Sequence, residues 1–405
     1  MPDTHVPRGG RVRLGSVDGD LTVSNHARIE VDGRLIVSGT ARFEGSADVA
    51  GSLECAALRS DGGTVTIDGD LVSRGDIEAH DAAIDIRGSL TARRVDVDRG
   101  LRIGGPATAE RFEVGGVLEG AQSMTARAVS VGGKFRLAGR LEAEDVEVGG
   151  SVELGDVAVD RLEVGGTIAI GGGEVRRSIE VGGRFVAKAP LKFGSLDVGG
   201  FAELRDSATG GSIDVGGVFS AGRDLTFDTM EIGGVGRIGG NGTGRTLEVG
   251  GKFEVRGSFT LSGPVEVGGA ISVGEAFSGE RVEVGGKLEA RRAVFVDSVE
   301  IGGYATTREG LKGARIRLHH RSKVAGPLVG GDVEIERGAR AEDVFGRRVE
   351  VGERCEIRRI VAETVRVRDG SIVGEIVFTT SAEVGSGVRL GRAPQKVDTL
   401  PAFPL

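Results

Sequence analysis

The sequence predicts an all-β chain wound as one three-sided β-helix, about 21 turns of ~17 residues with a parallel sheet along each side. Three observations predict it. A five-residue phrase, apolar–acidic–apolar–Gly–Gly, recurs from Phe112 (FEVGG) to Val299 (VEIGG) with starts 16 to 18 residues apart. A fixed short period marks a body built by stacking one unit. Between the phrases lie pieces of three to four residues with apolar side chains at alternate positions, the pattern of a half-buried strand. Helical i, i+3, i+4 spacing never persists for three turns.

Residues 1–11, with Pro2, Pro7, Gly9 and Gly10, are expected as a flexible lead-in. The β-helix is expected over 12–390. It opens with VRL, LTV, IEV and LIV, and three such pieces make one period, as in Val265–Val267, Ile271–Val273 and Phe277. The glycine-ended phrases at Ile29, Val65 and Ile84 fall out of step with the later ones. The inward pairs beginning at Ile29, Leu35, Ala41, Ala47, Leu53, Leu58, Val65, Leu71, Ile77, Ile84, Leu90, Val95 and Leu101 nevertheless keep an unbroken rhythm. The glycine corner therefore changes side near residue 90 while the coil continues. One uninterrupted domain, roughly 100 Å long, is the expectation.

From 179 to 262 a second pattern has twice the period. Turns rich in Phe185, Phe193, Phe219, Phe227, Phe253 and Phe259 alternate with turns carrying Ala202, Ala208, Gly236, Gly242 and Gly244. Fat and thin layers in alternation fill a bore at even density. After Val299 the glycine pair erodes into IRLHH, VEIER, VEVGE and VRVRD. The tail, 391–405, contains Pro394, Pro401 and Pro404 and is not expected to continue a paired strand.

Composition narrows the function. A net charge of -8 argues against a general nucleic-acid binder. No stretch approaches the ~20 apolar residues of a spanning helix, and the amino-terminal residues lack the apolar run of a signal peptide. Cys55 and Cys355 are the only cysteines, which excludes a disulfide framework and points to a reducing cytoplasm. Both fall at inward positions, as small hydrophobes. His319-His320 stands at a corner where other turns have Gly-Gly, with no third metal ligand near in sequence. The Gly-Gly pairs lack the following helix that a phosphate cradle needs, so they are expected to supply positive-φ corners. No catalytic, cofactor-binding or metal-ligating set emerges.

Two features remain as interaction candidates. The residue between the two apolar ones is acidic in 11 of 12 successive phrases. Stacked, Glu147, Glu163, Glu180, Asp197, Asp214, Glu231, Glu248, Glu266, Glu283 and Glu300 form a stripe. It is a solvated face that discourages lateral aggregation, a seat for a basic protein partner, or a binder of cations. The ends of a β-helix expose apolar cross-section and unpaired backbone. Leu400, Phe403 and Leu405 are candidates to fold over one end, or to contact a partner or a membrane surface.

Short β pieces at a 17-residue period, V-x-V-x-G corners and the missing enzymatic constellation resemble bactofilins, bacterial and archaeal polymer-forming cytoskeletal proteins. The resemblance covers roughly residues 12–390, and the chain is an unusually long example. It implies a right-handed triangular β-helix that assembles end to end into filaments without nucleotide or other cofactor. A monomeric spacer, a partner-binding scaffold using the acidic stripe, and a cell-surface rod are the alternatives. Hexapeptide acyltransferases are disfavoured by the absence of strict six-residue units. Sugar-acting β-helices are disfavoured by a single Tyr and no Trp.

Overall fold

A computed structural model describes residues 3–404. Among them are 47 strands and no helix. The strands pair in parallel as a β-solenoid of about 23 turns, two more than the spacing predicts. The chain divides into two units, Met1–Gly200 and Phe201–Leu405.

In the first unit each period feeds three parallel ladders. One runs Leu21, Ala41, Leu58, Ile77, Val95, Phe112, Val129. The second runs Ala47, Val65, Ile84, Leu101, Leu118, Phe135. The third runs Leu35, Leu53, Leu71, Leu90, Ala107, Met124, Leu141. The glycine-ended phrase at Ile84 thus stacks on Leu101 and not on Val95, as the change of corner requires. Every inward position named above from Ile29 to Leu101 is buried to 4% exposure or less.

The residues expected as a lead-in belong to the solenoid. Thr4–Val6 pairs with Leu21–Val23, Arg11–Arg13 pairs with Arg28–Glu30, and Val6 is buried. A single alternating triplet, Thr-His-Val, is enough once a full turn waits to receive it. This level, and Gln395–Lys396 at the far end, lengthen the solenoid by less than one period.

The Gly-Gly corners also differ from expectation. None of the pairs in the VEVGG phrases has positive φ. Glycine is needed there because corners stack backbone on backbone. A Cβ on Gly150 would lie 2.1 Å from the carbonyl oxygen of Gly133, one turn earlier. Left-handed corners occur elsewhere, in the first unit at Gly9 (φ 67) and His26 (63) and in the second at Arg321 (61), Gly338 (75), Arg354 (56) and Gly370 (70), where the Gly-Gly pair has eroded.

The second unit repeats the plan from Ile213 through Met230, Leu247, Val265, Val282, Val299, Ile316 and Val333 to Ala382. Its core shows the fat and thin layers. A Cβ on Gly236 would lie 2.3 Å from the Phe253 ring, one on Gly242 2.6 Å from Phe259, and one on Gly244 2.4 Å from Phe227. The thin turn is the space that the rings above and below occupy. Phe259 in turn sits 5.5 Å from Phe253 and 5.6 Å from Phe277, ring centre to ring centre. Phe219→Ala, at a fully buried site, should cost about 3–5 kcal/mol. Gly242→Ala should cost about 1–3 kcal/mol by overpacking. Urea unfolding checks both, and an unchanged midpoint in either variant contradicts the layering.

Candidate functional site

The outward side chains form columns because the ladders stack residues in register. In the first unit Glu147, Glu163, Glu180 and Asp197 are successive register partners. In the second unit Asp214, Glu231, Glu248, Glu266, Glu283 and Glu300 are likewise. All are exposed except Glu300, which is half-buried. Beside the second column runs another outward one, Ser212, Thr229, Thr246 and Pro264, and together they line a shallow groove.

What sets these columns apart is the absence of counter-charge. Elsewhere the solenoid pairs charges vertically. Arg102 lies 3.7 Å from Asp85 below and 3.1 Å from Glu119 above, and Arg136 lies 3.7 Å from Glu119 and 3.2 Å from Glu153. Asp297 is held between Arg315 at 2.7 Å and Arg281 at 3.0 Å, and the Arg315 guanidinium, with Arg281, keeps its carboxyl below the usual range. Much of the Arg-rich stretch 315–368 is spent this way, as in Arg317–Glu334 and Arg340–Glu356. By contrast Glu147, Glu163, Glu180 and Asp197, and Asp214 through Glu283, have no cationic partner among the described residues. Among the described residues, Glu113 in the first unit is paired with Arg94, and Glu300 in the second with His319.

His319 faces carboxylates on both sides, Glu300 at 3.3 Å from Nε2 and Glu336 at 3.4 Å from Nδ1, and the His320 N–H donates to Glu336. No group of three or more His, Cys, Asp and Glu side chains among the described residues is arranged to hold a metal ion. Both thiols are buried and unbonded to each other. Burial pushes the Cys55 thiol up to about 11 and raises that of Cys355. Cys355 occupies a corner role also played by serine. Its Sγ contacts the Glu336 carbonyl at 3.1 Å, as Ser371 Oγ donates to Gly352 O at 2.9 Å and Ser322 Oγ to Ile301 O at 3.1 Å.

Among the described residues, the first turn of the first unit and the last turn of the second leave backbone groups unpaired. In the first turn the Thr4 N–H donates to Asp20 O and the Leu14 N–H to Glu30 O. Because successive peptide groups alternate in direction, the N–H groups of His5, Arg11 and Arg13 point away from the solenoid. In the last turn the Gly385 N–H donates to Val367 O, so those of Ala382 and Val384 point outward. Val12, Leu14, Ala382 and Leu390 are half-buried at these edges, and Val384 is exposed.

The tail does not fold over this edge. Gln395–Lys396 pairs with Val377–Phe378, so strand pairing reaches further than the prolines suggested, Pro394 falling just before the pair. The chain then turns back along the side. Leu400 and Phe403, with Val397, pack on a column made of Val329, Phe345, Val361 and Val377. Leu405 lies outside the described residues. The sequence signal for this seat is a break in alternation: Leu328-Val329, Val344-Phe345, Ile360-Val361 and Ile376-Val377 are adjacent apolar pairs on successive turns.

Like charges one level apart, ~4.8 Å, repel by about 1 kcal/mol in water. The triple variant Glu231→Gln, Glu248→Gln, Glu266→Gln removes four such contacts and should therefore melt several degrees higher at low salt, since ~1 kcal/mol shifts a unit of this size by about 2–4 °C. The gain should vanish near 1 M salt, where screening acts over ~3 Å. Calorimetry at the two salt concentrations decides, and an unchanged or lowered Tm at low salt would show that the stripe carries no strain. No family model, curated protein or solved structure matches this chain.

Proposed function

We propose that this chain is a non-catalytic structural element of the bactofilin kind, a polymer-forming cytoplasmic protein that assembles end to end without nucleotide. In this reading its ladders close as the sides of a right-handed triangular coil. The observation that carries it is the pair of open parallel edges, Thr4–Val6 with Arg11–Arg13 at the start and Ser381–Val384 at the finish. An uncovered strand edge with half-buried apolar residues is a template for another strand. A last turn of one copy and a first turn of the next are of one kind, so joining them prolongs the ladders. The free, buried thiols agree with a reducing compartment.

A second reading is favoured by one observation, the unpaired carboxylates. They support a scaffold that binds a basic protein surface along the stripe, with affinity falling as salt rises.

Negative-stain electron microscopy and light scattering test the first reading. Wild-type protein should form linear assemblies at micromolar concentration. Ala382→Pro with Val384→Lys removes one outward N–H and places charge on the edge, without touching the bonds to the preceding turn. That variant should form no linear assemblies, with its Tm within a few degrees of wild type. A wild type that stays a single copy, or a variant that still forms linear assemblies, sinks end-to-end association.

A further inference from the structure

The column Val329, Phe345, Val361, Val377 is outward-facing, since each member follows a fully buried inward residue: Leu328, Val344, Ile360 and Ile376. Yet its members are themselves 7% exposed or less. The tail covers them, with Val397, Leu400 and Phe403 packed on the column and the Phe403 ring 5.6 Å from that of Phe345. We propose that this column is a peptide-docking groove whose exchangeable occupant is the carboxy-terminal segment of a second copy of this chain.

The match is one of periods. Val397, Leu400 and Phe403 recur every third residue in a segment that contains Pro401 and Pro404. An extended proline-type helix has three residues per turn and advances about 9.3 Å in that span. Two levels of a parallel ladder advance about 9.6 Å. Beyond the bend at Asp398–Thr399 this spacing applies to Leu400 and Phe403, with Pro401 between them, and the Phe403 ring lies against Phe345. That part of the tail reads Φ-x-x-Φ, and every copy of the chain carries it.

The hold is of a kind that exchanges. The last backbone hydrogen bond to the tail is from the Val397 N–H to Phe378 O, at 2.8 Å. Among the described residues, 398–404 make none, and Leu400 and Phe403 are only half-buried. Residues 391–394, ahead of the last strand, are exposed. To reach its own groove the tail also has to reverse, through a bend at Asp398–Thr399, from the direction in which the turns advance. Exchange of an identical element is the low-cost route to association. The link is independent of the open edges, and the occupied groove joins copies side to side.

The test uses full-length protein in the edge-blocked background, A382P/V384K, so that end-to-end association does not contribute. L400D/F403D disables the tail and leaves the groove vacant. V361D disables the groove and leaves the tail intact. A fluorescent peptide of residues 395–405 should bind L400D/F403D saturably, at least ten-fold more weakly to the edge-blocked parent, whose own tail competes, and at least ten-fold more weakly when V361D is added. Mixing the L400D/F403D and V361D proteins should give two-copy complexes by light scattering that neither gives alone. Circular dichroism monitors folding, and F403A replaces the double tail variant if that one loses its strand signal. A folded groove-vacant protein that does not bind the peptide, or a mixture that stays at single-copy mass, overturns the proposal. Neither result bears on the edges, whose own variants are read without the peptide.

Discussion

The in-register parallel ladder is the constraint from which the rest follows. A residue pairs with its counterpart one period on, so each sequence position becomes a column of like side chains at ~4.8 Å spacing. Whatever a position is, it must tolerate itself. Valine over valine does so inside. At the corners, where backbone stacks on backbone, only a residue without Cβ fits, as the 2.1 Å clearance between a Cβ on Gly150 and Gly133 O shows. On the outside, arginine and carboxylate tolerate each other best in alternation, which is the arrangement of Asp85, Arg102, Glu119, Arg136 and Glu153.

The same constraint explains how turns of unequal sequence share one bore. Phe253 and Phe259 exceed the space of a single level, and the glycines at 236 and 242 release it to them. Volume is conserved over pairs of turns and not over each one. Where the Gly-Gly corner erodes, a different corner takes over, with Arg321, Gly338, Arg354 and Gly370 in the left-handed region and a small buried residue, Ser322, Ala339, Cys355 or Ser371, tucked behind. That column makes Cys355 a structural residue among serines.

Periodicity made the fold legible, including the side change near Ile84, because burial repeats with the backbone and is written in each turn. What escaped was set by single events. The strand Thr4–Val6 rests on one triplet and has no period of its own. The corner glycines were legible as corners, but their reason, close approach and not φ, depends on the neighbouring turn. The tail's seat lay in plain sight as four adjacent apolar pairs from Leu328-Val329 to Ile376-Val377. Their meaning was hidden because alternation is read within a strand, whereas the column is assembled across strands. The acidic stripe was visible in sequence. That its members lack partners among the described residues, while Arg102 and Arg136 on another ladder have them, was not, since pairing joins residues about 17 positions apart by a geometry the sequence does not state.

Outward columns of two kinds break the self-tolerance rule, apolar and acidic. In a globular surface a single unsatisfied side chain is a small local cost. In a solenoid the position is repeated, so the cost grows with the number of levels, and so does the gain from covering it. Val329, Phe345, Val361 and Val377 would expose a continuous apolar strip, and the chain supplies a cover in Val397, Leu400 and Phe403. The carboxylates from Asp214 to Glu283 receive no such cover, although alternation with arginine was available and is used on another ladder. Repulsion along that column is therefore a property of its sequence and not of the fold. A cationic surface of the same pitch would relieve it level by level, and for that reason contacts on such a body add along a column in place of concentrating in a pocket.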